Sequence, residues 1–140
     1  MTALDSLIRL HRWQLDERRR QLAALESLGE KLRHEEGRLI AEEAHEQAVA
    51  TSSPAAAVTY GAYAAQLVER RRKLTQSLAS LEQQLALARE ALSDSYREVK
   101  RYEIAAATRA AQQRKRAARL QQRTLDEIGI EGYRRRSRSA

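Results

Sequence analysis

Thr51-Ser52-Ser53-Pro54 is the stretch of this 140-residue sequence at which a helical pattern breaks, and Pro54 is its only proline. Proline fits the first position of a helix, where its missing N–H leaves no bond unmade, and a serine before it is a good N-cap. The stretch therefore ends one helix and opens another. A short connection between two long helices turns them antiparallel.

Working outward from this break, heptads run in both directions. Before it, Ile8, Leu15 and Leu22 recur every seven residues, and Gly29 and Glu36 continue their column. A second column holds Leu4, Leu25, Leu32 and Leu39, with His11 and Arg18 in its gaps. After the break, one column holds Leu78, Leu85, Leu92, Val99 and Ala106. The other holds Leu67, Leu74, Leu81, Ala88 and Tyr102. Offsets alternating between three and four are the seam of a coiled coil. The reading is all-α: a long antiparallel two-helix coiled-coil hairpin, its second helix overhanging the first. Asp5/Arg9, Asp16/Arg20 and Glu69/Lys73 are spaced four apart for surface pairing.

Antiparallel seams set one column against the other, which allows facing residues whose numbers add to about 103 or about 110. A turn centred near Ser52 selects 103. Leu22 then faces Leu81, Leu25 faces Leu78, and Gly29 faces Leu74. A glycine opposite a leucine permits close approach; the alternative is that Gly29 and Gly37 only loosen the helix. Helix 1 is expected over 2–50, the turn over 51–53 and helix 2 over 54–128, ended by Gly129. The last ~26 residues of helix 2 overhang by roughly 39 Å. Residues 129–140, with Arg134, Arg135, Arg136 and Arg138, read as a basic disordered tail.

Composition narrows the function classes. Five glycines, one proline and no phenylalanine cannot build an all-β fold. The alanine, leucine, glutamine, glutamate and arginine content belongs to long helices. Cysteine is absent, so no disulfide or thiolate metal site forms. No run reaches the roughly 20 apolar residues of a membrane span, and residues 1–9 lack a secretory signal, so a cytoplasmic protein is expected. The net charge of +7 is uneven, and the excess lies in residues 109–140. That basic end reads as a handle for an acidic protein surface, nucleic acid or anionic lipid.

No residue pattern supports catalysis. There is no G-x-x-x-x-G-K phosphate loop, and no serine has a base placed to activate it. His34 and His45 share a helix face, and Glu42 lies three before His45, a spacing used in di-iron bundles. Residues 51–140 hold no histidine to complete such a site, so neither metal nor cofactor is expected, and the chain reads as a non-enzyme. What remains is surface. Trp13 falls at an outward f position and Leu10 at c. Such residues mark a contact site, or else pack on the overhang or on a second copy. Tyr60 and Leu67 fall on the seam, with Tyr63 at its edge, where tyrosine commonly caps a thin core.

The chain resembles the FliJ family, the small coiled-coil stalk proteins of the flagellar type III export apparatus. Three stretches carry the likeness: Leu7-Ile8-Arg9-Leu10-His11-Arg12-Trp13-Gln14-Leu15-Asp16-Glu17-Arg18-Arg19-Arg20; Gly61-Ala62-Tyr63 through Ser80-Leu81-Glu82; and Lys100-Arg101-Tyr102-Glu103 with the later Leu125-Asp126-Glu127. The resemblance implies a non-catalytic role in flagellum biogenesis, and so in motility and chemotaxis. Its implied partners are a hexameric export ATPase, a membrane export-gate protein and export chaperones. It implies a place at the cytoplasmic face of the flagellar basal body. The implied ATPase contacts are Arg9, Leu10, Arg12, Trp13 and Arg109; the implied gate contacts are Tyr60, Tyr63 and Leu67. Two alternatives stay open: the equivalent stalk of a virulence type III system, and a basic coiled coil binding nucleic acid through residues 109–138. The second lacks interleaved aromatics and a groove-reading motif.

Overall fold

The computed structural model describes residues 2–139. Helix α1 spans Ala3–Ser52 and helix α2 spans Pro54–Ser139, with no strand among the described residues. Ser53 alone separates them. Two compact units result: Trp13–Tyr96, which contains the turn, and the residues up to Arg12 together with those from Arg97 on. In each unit α1 packs against α2.

In the turn-bearing unit the seam is built as its period requires. Leu15, Leu39, Leu67, Leu74, Leu81 and Leu85 are buried, and Leu22, Leu25, Leu32, Leu78 and Leu92 are half-buried. Leu39, Leu67 and Leu74 form a core cluster against which Leu32, Tyr63 and Leu78 pack. The seam is thin, so leucines supply nearly all of its apolar burial.

The register differs from the expected one by a heptad. A methyl group added at Gly29 would lie 3.2 Å from Leu81 Cδ2, so Gly29 faces Leu81 rather than Leu74. Their numbers add to 110, not 103. The interhelical pairs Tyr63/Glu42 and Arg71/Glu43 fall on either side of that value. The physical reason lies in the turn. Its one non-helical residue is Ser53 rather than a span centred on Ser52, so it lies midway between the frames and does not select 103; interhelical packing decides.

The ends are satisfied locally. Thr2 Oγ1 accepts from the Asp5 N–H at 3.2 Å, and Asp5 Oδ2 accepts from the Thr2 N–H at 3.0 Å. This reciprocal capping box opens α1. At its other end, the Thr51 and Ser52 hydroxyls donate to the carbonyls of Ala48 and Val49. The Ser53 carbonyl accepts from the Ala57 N–H at 3.1 Å, the first bond of α2. Helix α1 thus runs two residues past its expected end at 50.

Helix α2 does not stop at Gly129, and residues 129–139 are helical rather than irregular. No glycine has positive φ, so Gly129 makes none of the left-handed turn that ends helices. Beyond it, Glu131 and Arg135 approach to 4.0 Å, four apart on the same helix. Beyond Ala111 every described residue of α2 is exposed except Gly132.

Charge pairs on the surface use a spacing of three more often than four. Asp16 holds Arg19 at 3.4 Å, Glu35 holds Arg38 at 3.1 Å, and Glu69 holds Arg72 at 2.7 Å. Glu17 likewise accepts from Arg20. Asp5, expected to meet Arg9, turns back to Thr2 instead.

Candidate partner-binding surfaces

In the turn-bearing unit, Tyr60 and Tyr63 are half-buried and line a shallow depression with Glu46, Val49, Ala56 and Thr59. The Tyr63 hydroxyl donates to Glu42, and that bond, with partial desolvation, pushes its pKa up to about 12. Leu67 is different. It is 1% exposed, at the centre of the core cluster, and presents nothing to a partner. Its place is explained by the seam column it shares with Leu74 and Leu81.

Trp13, in the same unit, is 59% exposed, as its outward heptad position requires. Farther along α1, Leu15 joins Leu92 and Tyr96 in an open apolar notch flanked by Arg19 and Arg89. Single-residue reading of the sequence did not find this notch, because its two walls are brought together only by the register.

In the other unit, Arg9 and Leu10 are exposed, Leu10 by 48%. Arg9 and Arg12 border a shallow depression with Asp5 and Ile8. Arg12 is already engaged: its guanidinium donates to Glu103 Oε1 at 3.2–3.3 Å. That bond, with a second from Lys100 at 3.4 Å, holds the Glu103 carboxyl below the usual range. One residue back on each helix, the His11 ring stacks on Tyr102 with centroids 4.6 Å apart. His11 thus fills its gap in the leucine column with an aromatic contact. Arg109 is exposed.

No group of three or more His, Asp or Glu side chains able to hold a metal occurs among the described residues. Glu42, considered beside His45 for such a role, is the acceptor for Tyr63. No helix among the described residues is long and apolar enough to cross a membrane.

A leucine seam with exposed Trp13 and Arg9 is compatible with many helical proteins, and geometry alone does not separate them. A family model does: the one described as the flagellar FliJ protein matches residues 1–138. The chain belongs to the FliJ family. No curated protein and no solved structure matches it. Membership makes this FliJ-family chain flagellar export-related. Its two long packed helices fit that assignment.

Proposed function

We propose that this FliJ-family chain is a non-catalytic central-stalk component of the flagellar type III export apparatus. It couples the export ATPase ring to the membrane export gate and assists export chaperones, from the cytoplasmic face of the basal body. The family match over residues 1–138 is the observation that carries this reading. A helical hairpin with a charged surface and a leucine seam suits a shaft, which must touch a ring lumen at many points without a deep pocket.

Candidate ATPase contacts are Arg9, Leu10, Arg12, Trp13 and Arg109. Trp13 supplies the apolar anchor, since a desolvated aromatic holds a complex while rim charges mainly steer association. Arg12 brings less than its charge suggests, because Glu103 already neutralises it. Candidate gate contacts are Tyr60 and Tyr63, the latter packed against the core cluster that contains the buried Leu67.

The test is reconstitution with the purified export ATPase, measuring complex formation and ATP turnover. Wild type is expected to bind the ATPase and change its turnover while hydrolysing no ATP alone. Trp13→Ala is expected to weaken the complex more than removal of residues 134–138, and added salt to affect the tail-dependent part most. A Trp13 variant indistinguishable from wild type, beside a tail deletion that abolishes binding, would move the contact to the C-terminal end. No binding at all would end the stalk reading.

A further inference from the structure

Beyond Ala111, α2 continues with no part of α1 covering it, and its seam columns change character there. The column of Tyr102 places Arg109, Arg116 and Arg123 at its next three heptad positions. The column of Val99 places Ala106, Gln113 and Leu120. Arg119 lies beside the arginine column, and Lys115 lies farther round the helix on that flank. Between Glu103 and Asp126 there is no acidic residue. Elsewhere some arginines are tied to carboxylates, as Arg12 is to Glu103, Arg38 to Glu35 and Arg72 to Glu69, while others such as Arg33 and Arg70 are not. Among the described residues none of Arg109, Lys115, Arg116, Arg119 and Arg123 forms an ion pair, and all five are exposed.

We propose that residues 109–123 of α2 are the docking surface for an acidic amphipathic helix of a partner protein. That helix carries carboxylates at heptad spacing and completes the uncovered seam as its second strand. A side chain recurring every seven residues faces the same neighbour throughout a coiled coil. Arg109, Arg116 and Arg123 therefore present one line of guanidinium forks over about 21 Å of helix. Such forks pair best with carboxylates, two parallel hydrogen bonds at a time. Leu120, 62% exposed in the other column, supplies an apolar contact beside them.

Two other occupants fit less well. A second copy of this chain lacks the matching pattern: Glu35 and Glu42 are followed by Val49, and Glu36 and Glu43 by Ala50, with no third carboxylate seven residues on. Nucleic acid is favoured by stacking platforms, and no aromatic lies between Tyr102 and Tyr133. The proposal goes beyond the stalk reading and does not rest on it, because its test contains no ATPase.

The experiment uses the full chain and labelled four-heptad synthetic helices, followed by fluorescence anisotropy at physiological salt. One helix carries glutamate at successive heptad positions; a second has the same composition with the glutamates shuffled off the heptad. The heptad helix is expected to bind at least ~10-fold tighter than the shuffled one, as aligned charge pairs require. Arg116→Glu with Arg123→Glu is expected to remove that preference, while circular dichroism shows the helix content kept. A heptad helix with lysine in place of glutamate should then bind the double variant better than wild type. Equal binding of the two acidic helices would overturn the proposal in favour of diffuse charge attraction. A single-stranded or duplex oligonucleotide binding more tightly than the heptad helix would overturn it in favour of nucleic acid. Self-association in sedimentation that the double variant abolishes would overturn it in favour of a second copy.

Discussion

Replacing Gly29 and Gly37 by alanine, one at a time, tests how closely the helices approach. Both glycines lie inside α1, where alanine is preferred by ~1 kcal/mol. At Gly37 a new methyl group meets nothing within 4 Å. Gly37→Ala should therefore keep the whole gain, about 0.5–1 kcal/mol. At Gly29 the same methyl group lies 3.2 Å from Leu81 Cδ2, nearer than ordinary contact, and Leu81 is buried. Overpacking a filled core typically costs ~1–3 kcal/mol, but here the obstacle is the tip of a flexible side chain and can partly give way. Gly29→Ala should thus be neutral or destabilising, about 1 kcal/mol or more below Gly37→Ala. On a domain of this size that difference corresponds to ~3–5 °C in Tm. Thermal and urea unfolding followed by circular dichroism provide the measurement. Leu81→Ala in the Gly29→Ala background supplies the control: truncation should cost less there than in wild type, with a coupling of ~1 kcal/mol. If Gly29→Ala stabilises as much as Gly37→Ala and shows no coupling to Leu81, the close approach and the register drawn from it are wrong.

Further tests address the register and the polar contacts. Cysteines replacing Leu22 and Ala88 should form a disulfide readily on oxidation, and cysteines replacing Leu22 and Leu81 should not, since bridging needs Cα atoms within about 7 Å; non-reducing gels decide, and the reverse result restores the 103 frame. The Tyr63 hydroxyl is pushed up from the ordinary tyrosine value of 10.0 to about 12, so whatever stability its bond to Glu42 adds is present below pH 10 and lost as pH rises through that window. Spectrophotometric titration should show one tyrosine ionising late, and Tyr63→Phe should remove that late step; a late step that survives places it on another tyrosine. Glu103 is lowered by its bond from Arg12, so its contribution is present above the usual glutamate pKa and fades as pH falls through the depressed value. Glu103→Gln should flatten the acid limb of the Tm profile, and an unchanged limb would show that the Arg12 contact adds nothing in solution.

Periodicity carried a great deal here. Ile8, Leu15, Leu39, Leu67, Leu74, Leu81, Leu85 and Val99 are buried, and each stands in a column readable from sevenfold recurrence. Trp13 is exposed for the same reason: a residue's face follows from its place in the heptad. The register was not legible, because a slip by a whole heptad preserves every column. A turn centred on Ser53 falls between the frames, and the approach of Gly29 to Leu81 across the helices tells them apart. Everything that depends on register was hidden with it: the Arg12–Glu103 pair, the Tyr63–Glu42 bond, the His11–Tyr102 stack and the notch beside Arg89. The end of α2 was missed for another reason. Gly129 signals a stop only when the chain bends there through a left-handed residue, and neighbours such as Glu131 and Arg135 let the helix continue.

Ser53 as the lone residue between α1 and α2 limits what enzymes can do to this chain. A protease binds its substrate as an extended strand several residues long, and a junction of one residue offers none. Cleavage near residue 53 therefore requires the last turn of α1 or the first of α2 to unwind beforehand. The rate of nicking at that point then reports the opening of those two helix ends, not the accessibility of a loop. A flexible insert placed at Ser53 should sever that dependence, making digestion fast while the leucine columns on either side stay paired.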